Sequence, residues 1–344
     1  MTAYFIRRFL LIIPTFIGVT LLVFAITRMV PGGPIERMIS EMQLATSDLA
    51  VDSVDSIAGN TISDEQIQEL REYYGFDKPI LVSYYDWMKK VVQLDLGTSS
   101  RYDEPVIDII VEKLPVSIFY GVTTLLLSYL ICVPLGIIKA VKHTSYTDNL
   151  SSIVIFIGYA IPGYVLGIGL MWAFAVHYEV FPMGGFISDD FDDFSQWEQV
   201  VDVLYHAVLP LLSYMVGSLA VMTLMMKNSL LDNLAADYVR TAMAKGLSFR
   251  QAVLKHAFRN SFIPLATHIG NGISVVLAGS FLIEKIFNID GIGLFGYESI
   301  VDRDYPSVLG ILVISSLLFM VGNILSDICV AIVDPRVQFG KEAQ

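Results

Sequence analysis

The chain has 344 residues and a formal net charge of −12, with 54% hydrophobic residues, only 16% charged residues and a mean hydropathy of +0.61. Soluble domains carry about a quarter charged residues, so one globular core cannot absorb this much apolar surface and the excess needs lipid. No long basic block exists, which excludes a nucleic-acid partner. Cys132 and Cys329 both lie in apolar stretches and read as packing residues rather than a disulfide framework.

In chain order, Met1 to Arg8 precede an apolar run, Phe9–Met29, of membrane length and without a small-residue cleavage site. A retained first span is predicted there. The segment 30–113 is too long for a simple loop. Within it Glu41–Asn60 is polar and acidic, and Ser63 with Gln66 fits a capping box ahead of a helix over 64–74 that Gly75 ends. Pro79 suits the first position of a helix over 79–94, with Ile80, Tyr84, Trp87, Met88 and Val91 on one face. Further runs predict spans at 116–138, 153–177, 205–227, 261–286 and 307–331, six in all. No internal repeat is present. The organisation expected is 1–29 as a cytoplasmic start and first span, 30–113 outside, 114–333 as a five-helix core, and 334–344 as a cytoplasmic tail.

The connections set the orientation. Arg7 and Arg8, Lys139 and Lys142, the 227–259 stretch with Lys227, Arg240, Lys245, Arg250, Lys255 and Arg259, and the tail with Arg336 and Lys341 fall on one side of a six-span chain. The opposite side is acidic, with Glu179, Asp189, Asp190, Asp192, Asp193, Glu198 and Asp202 in one connection and only Arg303 as a clear base in another. The positive-inside rule puts both termini in the cytoplasm, and a long outer segment crosses regardless of its charge.

The sizeable cytoplasmic segment is then 231–260. It reads as two short helices. The first ends near Lys245, with Gly246 at the left-handed C-terminal position. Ser248 and Gln251 form a capping box for the second, which places Phe249, Ala252, Val253 and Ala257 along one side. Pro264 opens the fifth span, where a missing N–H is tolerated. By physics alone such an amphipathic helix lies on a membrane surface or docks a partner.

The residue order goes further. Tyr238-Val239-Arg240-Thr241-Ala242-x-Ala244-Lys245-Gly246, His256-Ala257-x-Arg259-Asn260 and Ile263-Pro264 resemble the coupling loop of ABC importer permeases of the dipeptide/oligopeptide (DppB/OppB) class. The general pattern is Glu-Ala-Ala, three residues, then Gly; here Arg240-Thr241-Ala242 stands in the first three places and the Glu is absent, a departure common in the peptide class. Tyr4-x-x-Arg7-Arg8-x-x-x-x-Ile13-Pro14, Asp95-Leu96-Gly97-x-Ser99, Ile286-Phe287-x-x-Asp290-Gly291-x-Gly293-Leu294, Arg303-Asp304-Tyr305-Pro306, Asn323-x-x-x-Asp327 and Asp334-Pro335-Arg336 extend the resemblance along the chain. Pro31-Gly32-Gly33-Pro34 is similar to the YejB-type branch, whose transporters take up microcin C and peptides.

That resemblance implies an all-α membrane protein of the type I ABC importer permease fold in the inner membrane, with a helical extracytoplasmic segment after the first span. It implies a homologous second permease subunit, two ATPase domains or subunits that bind ATP and Mg, an extracytoplasmic peptide-binding protein, and surrounding membrane lipid. The helix from Ser248 to Arg259 would sit in a cleft on an ATPase, and Arg240, Thr241, Ala242, Ala244, Lys245, Gly246, Ser248, Phe249, Gln251, His256, Arg259 and Pro264 would carry the coupling.

No phosphate-binding Gly-x-x-x-x-Gly-Lys-Ser/Thr, His-Glu-x-x-His or Gly-x-Ser-x-Gly occurs, so a nucleotide-hydrolysing partner is needed and no cofactor or metal is expected on this chain. An intramembrane enzyme would need paired catalytic groups at one depth. An ion-coupled secondary transporter would need midplane charges and repeated halves. The spans carry only scattered polar residues. Gly163, Gly167 and Gly169 suit close helix packing. Pro134 and Pro162 suit structural kinks, and Pro162, Gly163 and Asn271 are the candidates for the substrate pathway. Glu284 and Lys285 are expected to reach water near the outer end of their span, Asp327 to pair with a base, and 187–202 to be a solvated acidic loop.

Overall fold

The computed structural model describes residues 2–29, 68, 72, 76–269 and 280–333. The expected helix over 64–74, Asn271 and the tail 334–344 lie outside or largely outside those residues. Among the described residues the protein is helical, with a single isolated bridge between Thr98 and Pro105. The chain divides into two compact units. One comprises Met1–Leu10, Lys113–Phe295 and Leu317–Gln344; the other comprises Leu11–Glu112 and Gly296–Ser316.

Among the described residues, four helices are long and apolar enough to cross a membrane: α1 (Thr2–Met29), and, numbered with the elements between them, α3 (Val106–Val141), α6 (Gln196–Ala235) and α13 (Tyr305–Val333). All overrun the expected spans. At 1.5 Å per residue the 40 residues of α6 reach about 60 Å, twice the hydrocarbon thickness. Its start is legible only locally: Ser195 accepts from the Glu198 N–H while Glu198 accepts from the Ser195 N–H, a complete capping box. The segment 187–202 is therefore not a plain solvated loop. Asp202 is buried and takes hydrogen bonds from the Ser188 N–H (2.9 Å) and hydroxyl (2.6 Å), whereas Asp189, Asp190, Asp192 and Asp193 stay exposed.

The third expected span is broken. α4 (Tyr146–Ala160) and α5 (Gly163–Leu170), which runs on as a π-helical stretch over Met171–His177, meet at 96°. Ile161 is extended because the Pro162 ring disfavours helical geometry before it, and Pro162 then heads α5 without offering an N–H. A Cβ on Gly163 would lie 2.5 Å from the Ser213 carbonyl oxygen, and one on Gly167 would crowd Ser213 and Phe287, so these two glycines let α5 press against α6. Gly169 faces open space and has no such role. Pro134 lies within α3, which is one continuous helix.

The fifth expected span does not run helically to residue 286. Residues 263–269 are helical, but Ser280 is extended (φ −123°, ψ 98°) and α11 (Phe281–Ile286) starts after it. The chain then folds back through α12 (Ile292–Val301). Glu284 is buried here, contrary to the expectation that it reaches water. Its carboxylate accepts from the Leu294 N–H (2.7 Å) and the Tyr214 hydroxyl (3.3 Å). A negative charge at the first turn of α12 is also favoured by the helix dipole. A Cβ on Gly291 would stand 2.7 Å from that carboxylate, which explains a glycine there. The Ser117 hydroxyl accepts the Ile292 N–H (2.8 Å), and Lys113 pairs with Asp290 (2.5 Å). The core beneath packs Tyr120, Leu209, Leu211, Ile283, Phe287 and Ile289.

Lys139, one of the bases of the connection after the second expected span, is fully buried. Its ammonium meets Asp148 (3.0 Å), the Asp148 carbonyl (2.8 Å) and the Ser151 and Ser152 hydroxyls (2.9 and 2.7 Å). Lys227 of α6 reaches the same carboxylate at 2.8 Å. As expected, Asp327 pairs with a base, Arg8.

In the second unit, α2 (Ile80–Val92) follows Pro79, which caps the helix rather than opening it. Tyr84 and Trp87 pack on Phe24, but Ile80 is exposed and off the expected face. Ser99 donates to Asp304 (2.5 Å), so two of the separate sequence landmarks are one structural pair.

Two outcomes follow for stability. Asp148→Asn strands the Lys139 charge and is expected to cost roughly 3–5 kcal/mol, whereas Lys227→Met, which leaves the Lys139 pair intact, costs about 1.5–3 kcal/mol. Thermal unfolding of the detergent-purified chain gives the order; equal losses would refute it. Glu284→Ala strands the Leu294 N–H and Tyr214 hydroxyl at about 1–3 kcal/mol each, and Glu284→Gln, keeping one acceptor, should fall between it and wild type.

Candidate functional site: the loop after α6

The segment 231–260 is built from the end of α6, then α7 (Asp237–Ala244), then α8 (Phe249–Ala252), which continues as a π-helical turn over Val253–Ala257 and as α9 (Phe258–Ser261). Gly246 joins the two parts at φ +96°, a conformation that costs an L residue about 1–2 kcal/mol. A Cβ there would touch nothing, so the demand on Gly246 is purely one of backbone angle. Ser248 and Gln251 complete a capping box: the Ser248 hydroxyl accepts the Gln251 N–H (3.4 Å) and the Gln251 Oε1 accepts the Ser248 N–H (3.1 Å).

The inner side of this element is small and apolar. Val239, Ala252, Val253 and Ala257 are buried against Ala140 of α3, Met226 and Leu230 of α6, and Leu265. Alanines permit a close backbone approach, so the knob sits directly on the ends of its supporting helices. Ala242 is also buried. Polar ties close the base. The Tyr238 hydroxyl donates to Asn233 (2.6 Å) and accepts from Asn260 (3.2 Å), and the Ser261 hydroxyl lies 3.2 Å from the Ser229 carbonyl. Arg259 donates to the Val333 carbonyl at the end of α13 (3.3 Å). Pro264 lies in the second position of the helix over 263–269.

The outer side is exposed and mixed. Arg240, Thr241, Ala244, Lys245, Ser248, Gln251 and His256 all face out. Phe249 is also exposed, which corrects its expected place beside Ala252 and Val253; as the first residue of α8 it precedes the turn that packs inward. Met243 and Leu254 join it as apolar side chains on the outer side. Neither was singled out by periodicity, because a residue that breaks an amphipathic pattern reads as noise until its neighbours are placed. The Tyr238–Asn233–Asn260 tie was equally hidden, although Tyr238 and Asn260 both stand in the motifs.

Among the candidates for a substrate pathway, Pro162 forms the break between α4 and α5, Gly163 is occupied in helix packing, and Asn271 lies outside the described residues. Among the described residues no group of three or more His, Cys, Asp or Glu side chains is arranged to hold a metal ion. The arrangement presents a rigid, partly apolar, basic knob whose back is fused to α3, α6 and the helix over 263–269.

Known proteins resemble this chain along most of its length. Residues 132–339 match the family described as binding-protein-dependent transport system inner membrane component. The chain is 39% identical to a peptidoglycan transport system permease protein, YejB, of Agrobacterium fabrum, over 98% of this chain and 99% of that one. It is 38% identical to an inner membrane ABC transporter permease protein, YejB, of Escherichia coli O157:H7, with the same coverage. It is 33% identical to the oligopeptide transport system permease protein AppB of Bacillus subtilis, over 98% and 100% of the two chains. With a family match that includes the whole knob and relatives alike from end to end, this chain belongs to the inner membrane components of binding-protein-dependent ABC transport systems.

Proposed function

We propose that this chain is one of two homologous membrane subunits of an ATP-driven importer that carries peptides, including peptide-nucleotides of the microcin C kind and peptide fragments of cell wall, into the cytoplasm. ATP and Mg are held by two partner ATPase subunits or domains, and an extracytoplasmic binding protein supplies the cargo. The observation that carries the reading is the knob over 231–260: an exposed docking side backed by buried small residues on the ends of α3 and α6. Closure of an ATPase dimer against Phe249, Leu254 and the basic residues around them moves those helices as a body, the conversion an alternating-access transporter requires. The names of the relatives, peptidoglycan, oligopeptide and dipeptide permeases, support peptide cargo.

In this reading six spans leave both termini in the cytoplasm, with the knob on the same side. The fifth span includes the helix over 263–269, and the α4–α5 pair serves as one broken span. The segment 30–113 lies outside with its helix α2 and meets the binding protein.

Gly246→Val should insert normally but lower ATP-coupled uptake of labelled peptide in a deletion strain while leaving ATP hydrolysis by the assembled complex. Normal uptake would defeat the coupling role. Single cysteines at Lys245 or Arg250 should react with an impermeant thiol reagent in inverted vesicles and not in intact cells; the reverse would invert the topology and remove the proposal. Deleting 64–94 should abolish stimulation of ATP hydrolysis by the binding protein, and unchanged stimulation would show that segment to be passive.

A further inference from the structure

The unit formed by Leu11–Glu112 and Gly296–Ser316 contains an open cavity of about 490 Å³. Its apolar lining is aromatic for the most part: Phe24 from α1, Phe76, Trp87 from α2, and Tyr305 with Pro306 at the start of α13. Phe24 and Trp87 lie 5.4 Å apart between ring centres. Above them stands Arg28, half-buried, its guanidinium stacked over the rings of Phe24 (5.1 Å) and Phe76 (4.7 Å) and donating to the Lys78 carbonyl (3.4 Å). That geometry orients the guanidinium, with Asp77 acting on its charge, and a guanidinium is a planar fork of the kind suited to phosphate.

The other charges on the lining are unequally engaged. Asp86 is bound by Lys78 (3.0 Å), Asp95 accepts the Gly97 N–H (3.0 Å), and Glu72 accepts from Gln68 (3.0 Å). Lys89 and Lys90, in the last turn of α2, are exposed and form no ion pair among the described residues; Lys89 rests over the Tyr85 ring. The cavity thus carries two exposed lysines outside any ion pair among the described residues, beside an apolar lining, which is the complement of an anionic amphiphile. A soluble anion would satisfy the rim and leave the aromatic floor wet.

Position narrows the class. The apolar run of α1 ends at Met29 and that of α13 begins at Tyr305, so the cavity lies at the level where two membrane-crossing helices emerge from hydrocarbon, the level at which Trp and Tyr concentrate. Phe24 and Arg28 also share one stripe of α1 with Ile13 and Ile17, at helical spacings of four, seven and four. Both isoleucines are exposed. An apolar track therefore leads from the cavity down α1 into the depth of the bilayer. We propose that this cavity binds the phosphate headgroup of an anionic phospholipid, with Arg28, Lys89 and Lys90 on the phosphate and acyl chains along Ile13 and Ile17.

The test is native mass spectrometry of the full-length chain in detergent, titrated with dioleoyl phosphatidylglycerol, dioleoyl phosphatidylcholine, glycerol 1-phosphate or an acidic tripeptide. One phosphatidylglycerol should be retained in preference to phosphatidylcholine. The paired substitution Lys89→Gln and Lys90→Gln, both at exposed positions, should weaken that retention roughly tenfold. Arg28→Gln should weaken it further, and Ile17→Ser should weaken both lipids alike. Equal binding of the two lipids, or retention unchanged in the lysine variant, would overturn the proposal. So would displacement by glycerol 1-phosphate at equal potency, which would mark a site for soluble phosphate, or displacement by the tripeptide, which would mark a peptide subsite.

Discussion

A single carboxylate held between two ammonium groups constrains the arrangement of the larger unit. Asp148 sits at the start of α4, Lys139 near the end of α3, and Lys227 in the last third of α6. The Lys139 side chain is fully buried, and an ammonium in such surroundings is tolerable only while it keeps its counter-charge and its hydrogen bonds. The ends of the three helices therefore cannot separate without uncovering a buried charge. Ala140, Met226 and Leu230 belong to the same three-helix region, and the inner side of the knob is packed on them. The knob and the helix ends form one mechanical body because one electrostatic node and one apolar cluster occupy the same place.

This arrangement explains which parts of the fold were legible. A run of apolar residues states that a segment crosses lipid, and α1, α3, α6 and α13 each contain such a run. It does not state where the helix stops, because a helix leaving the membrane keeps its hydrogen bonds and changes only its composition. The acidic stretch before residue 204 read as loop although Ser195 and Glu198 carry a capping box. The break at Pro162 was visible as a proline, but its 96° depends on Gly163 and Gly167 allowing α5 against Ser213 of a helix some fifty residues away. That contact leaves no local trace. The burial of Lys139 leaves no local trace either: a basic residue beside a turn marks a membrane boundary on average, and its burial depends on Asp148, Ser151 and Ser152 in the next helix.

The knob was legible to a greater degree, since its defining requirements are local. A left-handed residue between helices calls for glycine, and a capping box needs only the pair Ser248 and Gln251. What periodicity could not supply was the side on which Phe249 falls, because it is the first residue of α8 and precedes the turn that packs inward. Glu284 was the opposite case. Its place along an apolar run suggested depth near an interface, while its partners Leu294 and Tyr214 come from a returning segment and a distant helix. The glycines at 291 and 293 were the only hint, since a carboxylate so close to the backbone excludes a Cβ.

The motifs that drew attention as a family pattern thus resolve into physical pairs. Asp95-Leu96-Gly97-x-Ser99 and Arg303-Asp304-Tyr305-Pro306 meet through the hydroxyl of Ser99 and the carboxylate of Asp304, with Gly97 at φ +88° beside the Pro306 ring. Asp290 and Gly291 belong to the turn that Lys113 and Glu284 hold. Gly246 differs from all of these. Its neighbourhood is empty, so no packing argument requires glycine there; only the +96° dihedral does. A residue constrained by angle alone, at the joint between two short helices whose inner sides are fixed, sets the direction of the outer side. In a chain whose buried groups hold the supporting helices together, that direction is the one parameter of the knob that the core does not determine.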